Sequence, residues 1–291
     1  MINYQKEGNF YQVTIDDDIY PQKLREIPDP PKELFCKGDL KLLNNYIVAI
    51  VGSRKCSEYG KTCAYQLGEK LAMNDITVAS GLAIGIDSFG HKGGLLGKGS
   101  TIGVMATGIL GCYPKQNQNL QNSIEAKGLL ISEHPGLYSP QKFDFPRRNR
   151  IISGIADTVV IIEAGDQSGS LITAEYALEQ NKNIFALPGN ITSQYSHGTN
   201  RLIKEGACPL INFNDVIHDL GIVPREEAAV KAMLGGDEQI IYQCVNQWGE
   251  VGKGYLIETT GFSPEKVNGL LSVLEIKGLI KYSLGKIYIA K

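Results

Sequence analysis

Residues 46–60 read YIVAIVGSRKCSEYG. Tyr46–Val51 is a short run of apolar, mostly β-branched residues that stops at Gly52, and a helix-length segment over about 58–73 follows it. A run of that length, apolar at consecutive positions, reads as a strand covered on both faces, and the helix after it reads as the crossover of a βαβ unit. The same phrase recurs outward along the chain. ITVAS (76–80) precedes Gly81 and a helix over about 85–97, and TIGVMA (101–106) precedes a loop and a helix over about 116–127. LLIS (129–132) leads to a helix over about 147–156, TVVIIEA (158–164) to one over about 170–181, and NIFALPG (183–189) to one over about 198–205. PLIN (209–212) with a helix over about 214–220 closes the series. Alternation of this kind predicts a doubly wound, parallel-sheet α/β domain over 46–221. A closed eight-stranded barrel needs more repeats than the chain supplies.

The flanks differ. Residues 1–45, with Asp16-Asp17-Asp18 and Pro28-Asp29-Pro30-Pro31, read as an extended lead-in packed on the main domain. Residues 222–236 carry Pro224, a charge cluster and Gly235-Gly236, the pattern of a linker. Over 237–291 an amphipathic helix (237–248) precedes a short one (255–260) that ends at Gly261. A third helix starts at Ser263, a good N-cap, with Pro264 at its first position and Val267, Leu270, Leu271 and Leu274 at helical spacing. LIKYSLGKIYIA (279–290) then reads as two strands about Leu284-Gly285, which completes a small winged-helix layout. In that domain six lysines face six acidic residues, so little attraction to duplex DNA is expected.

Composition sets outer bounds. The chain has 291 residues, 43% hydrophobic and 21% charged, enough to bury cores without disulfides or metals. Its formal net charge of -2 excludes a protein that coats nucleic acid on every face; a nucleic-acid site must be a local patch. No signal peptide or bilayer-length apolar run is read, and the six cysteines show no C-x-x-C pair, as expected of a cytoplasmic protein with reduced thiols. The four histidines have no metal-ligand spacing.

In an open parallel sheet, ligands bind beyond the carboxyl ends of the strands. The candidates are therefore Gly52-Ser53-Arg54, Ser80-Gly81-Leu82, Thr107-Gly108, Lys142–Arg150 and Glu163–Ser170. Arg54 stands where a dinucleotide fingerprint needs its second glycine, which argues against NAD or FAD, and no P-loop sequence is present. KFDFPRRNR (142–150) is the densest basic stretch, with Phe143 and Phe145 interleaved. Cations beside aromatic rings are the ingredients of a single-strand site, where each stacked base contributes about 1–3 kcal/mol. The plainer reading is a solvated helix start whose phenylalanines are core. EAGDQSGSLITAE (163–175) admits an enzyme: Glu163 or Glu175 with Asp166 acting on a ribosyl bond, and Ser168–Ser170 holding a phosphate. Its plainer reading is a capped helix with Glu175 on the surface. Ser88/His91 and Ser196/His197 look like triad fragments but lack a G-x-S-x-G elbow.

Seven segments in order, including VAIVGSRKCSEYG (48–60), SGLAIGID (80–87), GCYPKQNQNL (111–120), FPRRNRIISG (145–154) and VIIEAGDQSGSLITAEYAL (160–178), resemble the DprA/Smf family of DNA-processing proteins of bacterial transformation. The resemblance spans nearly all of 20–210. It implies a Rossmann domain that binds single-stranded DNA, forms homodimers and loads the RecA recombinase, with no cofactor and no catalysis. The implied DNA-binding residues are Gly52, Ser53, Arg54, Lys142, Phe145, Arg148, Asn149, Arg150, Ser168 and Ser170. Arg54 and Lys142 would meet phosphate and Phe145 would stack on a base, while some of Arg148, Asn149 and Arg150 would fix the loop. The chain departs from the family at Ile84, where arginine is usual, and at Ser88-Phe89-Gly90. A helical module found before the Rossmann domain in some members is not expected here. The alternative kept beside this reading is a Rossmann-type enzyme that releases a base from a nucleoside monophosphate.

Overall fold

The computed structural model describes residues 5–7 and 9–290 and divides into two compact units, one ending at Ile222 and the other beginning at Val223. The first unit opens with β1 (Gln5–Glu7), β2 (Phe10–Thr14), the short helix α1 (Gln22–Arg25) and β3 (Glu33–Gly38). The repeating part follows: β4 (Ile47–Val51), α2 (Glu58–Met73), β5 (Thr77–Ser80), α3 (Ile86–Gly94), β6 (Thr101–Met105), α4 (Gln118–Lys127) and β7 (Leu129–Ser132). It continues through α5 (Asp144–Ile155), β8 (Thr158–Ile161), α6 (Gly169–Glu179), β9 (Asn183–Ala186), α7 (His197–Lys204), β10 (Cys208–Pro209) and α8 (Phe213–Asp219).

These strands form one ten-stranded sheet in the order β1-β2-β3-β7-β6-β5-β4-β8-β9-β10. From β7 to β10 every pairing is parallel. The chain steps outward from β4 through β5 and β6 to β7, then returns to lay β8 against the other side of β4. The strand order therefore reverses between β4 and β8, and that reversal opens a crevice at their carboxyl ends.

Burial follows the two-residue period of a strand. Ile47, Ala49 and Val51 of β4, with Val159 and Ile161 of β8, pack on one face against Ile151 and Ile155 of α5 and Leu171 and Ala174 of α6. Val48, Ile50 and Val160 pack on the other face against Ala64, Leu67 and Leu71 of α2 and Ile86 of α3. Each Val, Leu or Ile among them contributes about 1.5–3 kcal/mol when fully buried, which is why consecutive apolar residues are needed in these strands.

Three elements differ from the sequence reading. The lead-in is not merely extended: β2 pairs with β3, and β3 pairs antiparallel with β7, so the parallel sheet gains an antiparallel edge. Its Val13, Leu34 and Cys36 are fully buried, which makes this segment part of the core. The last strand is shorter than 209–212, because Asn212 is already the N-cap of α8, its side chain accepting from Asn214 N. The stretch read as a linker contains a helix, α9 (Arg225–Met233), whose first turn holds Glu226 and Glu227. Acidic residues at a helix N-terminus and a run of good helix formers outweigh the punctuation of Pro224.

The second unit continues with α10 (Gly236–Trp248), β11 (Glu250–Val251), α11 (Lys253–Thr260), α12 (Pro264–Ile276), β12 (Ile280–Ser283) and β13 (Lys286–Ile289). Ser263 caps α12, accepting from Lys266 N, and Pro264 occupies its first turn. The strands form a sheet in the order β11-β13-β12, one strand more than the expected hairpin. Ile241, Val245, Leu256, Val267, Leu271, Leu274 and Ile287 make its core. This layout is consistent with a winged helix.

Candidate nucleic-acid interface

A cleft of about 660 Å³ lies where the segments after β4 and β8 meet the start of α5. Nine of the ten residues expected at a DNA site line it: Gly52, Ser53, Arg54, Lys142, Phe145, Arg148, Asn149, Ser168 and Ser170. They come from three places in the sequence, 52–54, 142–149 and 168–170, brought together by the reversal of strand order.

The wall after β4 is set by a buried carboxylate. Glu163, following β8, is 3% exposed; it accepts from Ser57 N at 2.8 Å and from Ser57 Oγ at 2.5 Å, and its backbone carbonyl accepts from Ser53 N at 2.8 Å. A carboxylate at the start of α2 also meets the positive end of the helix. Ser57 in turn caps α2 by accepting from Gly60 N. Glu163 thus ties the 52–57 loop to the sheet. The loop's inner side has no spare room: a Cβ on Gly52 would overlap Ile86, and Gly85, at φ +84°, lies against the carbonyls of Ser53 and Arg54. Arg54 is left exposed.

The floor is the loop after β5, and three buried polar groups hold it. Asp87 accepts from Gly81 N at 3.1 Å and Ala83 N at 3.4 Å. His91 Nε2 accepts from Leu82 N at 3.3 Å while Nδ1 lies 2.7 Å from Thr101 Oγ1, which itself donates to Val78 O. Arg148, reaching in from α5, donates to Gly81 O at 2.7 Å and also to Val104 O. Burial pushes the Asp87 carboxyl up, opposed by the Arg148 charge and by the two backbone donors. Burial also lowers the His91 imidazole to about 3, so the ring is neutral. It lowers the Arg148 guanidinium to about 10, with Asp87 supporting the charge and Arg54 opposing it. Arg148 still carries its proton at neutral pH, and a Cβ on Gly81 would collide with it.

Helix α5 distributes its side chains by rotation of about 100° per residue. Arg147 points out toward Glu133 at 3.3 Å, Arg148 inward to the floor, and Asn149 toward α6, its Nδ2 3.4 Å from Gly169 O. Arg150 is the correction to the expected site. It is 3% exposed and lies outside the cleft, with Nη2 2.6 Å from Glu133 and Nε 3.0 Å from Asp29. Those carboxylates come from the end of β7 and from the lead-in, and they fix Arg150 as part of the scaffold. The helix also starts earlier than Pro146, at Asp144, whose carboxylate accepts from Gln141 N and Tyr138 OH. Pro146 still falls in the first turn, where an N–H has no helical partner.

Neither phenylalanine of this stretch is core. Phe143 is 65% exposed, and Phe145 is half-buried on the cleft wall. The Phe145 ring lies 5.2 Å from that of Tyr113, tilted by 51°, and Arg54 Cζ lies 5.5 Å from the Phe145 centroid. Tyr113 was not among the expected site residues; its signal was an exposed aromatic in the loop after the third strand of the repeat. Lys55 and Asp87 also line the cleft unexpectedly. On the α6 side, Ser168 caps the helix and shares a hydrogen bond of 2.7 Å with Ser170.

The enzyme residues do not converge. Glu163 is buried in its loop-tethering role, Glu175 is exposed on α6, and Asp166 is exposed beside His197 at 3.4 Å. Among the described residues, Asp87 is the one carboxylate lining the cleft, and it faces backbone N–H groups. His91, of the triad fragment Ser88/His91, spends both nitrogens on the floor, and Ser88 donates to Ala83 O.

Comparison with known proteins covers the part of the chain that contains the cleft. The model of the family DNA recombination-mediator protein A matches residues 11–221, which lie within the first unit. DNA processing protein DprA of Bacillus subtilis is 39% identical over 218 residues, 75% of this chain and 73% of that protein. The DprA of Streptococcus pneumoniae is 44% identical over 214 residues, 74% of each. Its X-ray structure superposes with a TM-score of 0.70 at 43% identity over 72% of this chain and 74% of that one. The structure of Helicobacter pylori DNA processing protein A, a study of its single-stranded DNA binding mode, superposes with a TM-score of 0.66 at 31% identity. That match covers 75% of this chain and 94% of the H. pylori chain.

Proposed function

The chain belongs to the DNA recombination-mediator protein A family, the DprA/Smf proteins, and from that premise we propose that its cleft binds single-stranded DNA through the residues assembled at the strand-order reversal. It is a DNA-processing protein of the recombination-mediator kind. The observation that carries the assignment of residues is the pairing of two exposed cations with two aromatic rings on the cleft wall. Arg54 and Lys142 are exposed, line the cleft and have no carboxylate partner among the described residues, and Tyr113 and Phe145 stand beside Arg54. Cations that track phosphates next to rings that accept bases are the working parts of a single-strand site. Gly52 and Ser53 shape the phosphate wall, Asn149, Ser168 and Ser170 face the strand from the α6 side, and Arg148 supports the floor from beneath.

Binding rather than turnover is the reading the cleft favours. Base release needs an acid–base carboxylate aimed at the sugar, and Asp87 is committed to the backbone of its own loop. The broader roles of the family reading are part of the same proposal: a cytoplasmic homodimer that delivers RecA to the bound strand. Leu178, Ile191 and Ile211, each at least 71% exposed, lie in the late part of the sheet domain, which is where we place the self-association surface.

Fluorescence anisotropy with oligo-dT over a salt series tests the proposal. Arg54→Ala and Lys142→Ala should each weaken binding and reduce the log–log salt slope by about 0.7, the contribution of one neutralised phosphate. An unchanged slope in both variants would remove these residues from the interface.

A further inference from the structure

Beside the cleft, and continuous with it, lies a second recess of about 70 Å³. The two share Arg54, Ala83, Tyr113, Phe145 and Arg148; Ile84, Pro114 and Gly81 belong to the recess alone. Its walls are the aliphatic Ile84 and Ala83, the ring of Pro114 and the paired rings of Tyr113 and Phe145. Ile84 is 39% exposed and Tyr113 52%, which leaves apolar surface open at the edge of a polar, cationic groove.

Size decides the occupant. A closed cavity that holds a benzene ring is about 150 Å³, so a recess half that size cannot enclose a base. It can take the edge of one. A base stacked on Phe145 with its sugar-phosphate against Arg54 presents an edge toward the recess. Adenine and cytosine carry an amino group on the corresponding edge, which loses water and meets no acceptor among Ile84, Ala83, Pro114 and the guanidiniums of Arg54 and Arg148 that complete the lining. The C5 edge of thymine is a methyl group.

Resting on the single-strand reading above, we propose that the recess formed by Ile84, Pro114, Tyr113 and Phe145 is a subsite for the methyl edge of one thymine, and that Ile84 is its specificity-determining residue. The subsite gives the protein a preference for thymine over uracil at one position of the bound strand, and hence a bias toward thymine-rich DNA.

The test compares oligo-dT with oligo-dU of equal length. They differ by the methyl group alone, so backbone charge and phosphate contacts cancel. Burying one methyl contributes about 0.8 kcal/mol, a factor of about four in affinity for one engaged base. Oligo-dT should bind about fourfold tighter than oligo-dU to the full chain, with equal salt slopes. In Ile84→Ala, which opens the wall at an exposed position, the ratio should fall toward one. Equal binding of the two strands to the parent protein overturns the subsite and leaves the single-strand reading standing. A fourfold ratio that persists in Ile84→Ala also overturns it, because the preference then arises elsewhere. If neither strand binds at low salt, the single-strand reading falls and the subsite with it.

Discussion

Arg148→Ala should behave as a stability variant, although Arg148 lies in the densest basic stretch of the chain, beside the proposed DNA site. Its guanidinium is buried, at 7% exposure, and donates to two buried carbonyls, Gly81 O and Val104 O. A hydrogen bond from a charged donor contributes about 1.5–3 kcal/mol, so the two together are worth about 3–6 kcal/mol before the desolvation of the guanidinium is counted. Removing the side chain restores that desolvation but orphans both carbonyls and takes the stabilising charge away from Asp87. A net loss of about 3 kcal/mol is expected. For a folding unit of 150–250 residues, that lowers Tm by about 6–12 °C. Arg54→Ala is the control: the side chain is exposed, so its Tm should stay within the shift of about 0.5 kcal/mol typical of surface changes. Thermal melts followed by circular dichroism, with oligo-dT anisotropy below the transition, separate the two. The reasoning is refuted if Arg148→Ala melts like the parent and loses about 0.7 from its salt slope, since Arg148 would then be holding a phosphate.

Phe145→Ala should weaken oligo-dT binding by about 1–3 kcal/mol with the salt slope preserved, because stacking is not a counterion effect; a collapse in Tm would mean that the ring serves the core. Arg150→Ala should destabilise by about 1.5–3 kcal/mol, read as a fall in urea midpoint, while the remaining folded protein binds oligo-dT like the parent; it removes the buried guanidinium and leaves the half-buried Glu133 with Arg147 alone. The His91 imidazole is lowered from 6.5 to about 3 by burial. Below pH 6.5 the unfolded chain takes up a proton that the folded one refuses, so stability should fall as pH drops toward 3, by up to about 1.4 kcal/mol per pH unit from this group. His91→Gln should flatten that part of the profile, as measured by urea titrations from pH 7 to 4. A chain ending at Ile222 should bind oligo-dT with the affinity of the full protein, and a loss of more than tenfold would assign part of the interface to the second unit.

The strands of the first unit were legible because they are buried on both faces. VAIV or TVVI in a parallel sheet leaves no polar position, so the runs stand out against helices with a two-sided pattern. The edge strands were not legible for the same reason in reverse. FYQVT in β2 is covered mainly on one side, with Val13 buried and its neighbours half-exposed, and a single alternating segment among prolines and aspartates carries little signal. The linker reading failed at 225–233 because charge was weighed above helix propensity. The position of the proposed site follows from one rule, that ligands gather at the carboxyl ends of strands, and nine of the ten expected residues line one cleft there. Roles within the site were not, and Arg148 and Arg150 show why. Both are arginines of one motif, two residues apart, and both are buried. What separates them from Arg54 is the company each keeps: carbonyls of β6 and of the loop after β5 for Arg148, and carboxylates at positions 133 and 29 for Arg150. Those partners lie far away in sequence, and only the fold brings them near. A basic stretch thus announces where charge is concentrated, but whether a given cation faces solvent or the core depends on helical phase and on distant partners. By phase and partners, this cleft leaves Arg54 and Lys142 open to solvent and keeps Arg148 beneath the floor, holding the loop after β5.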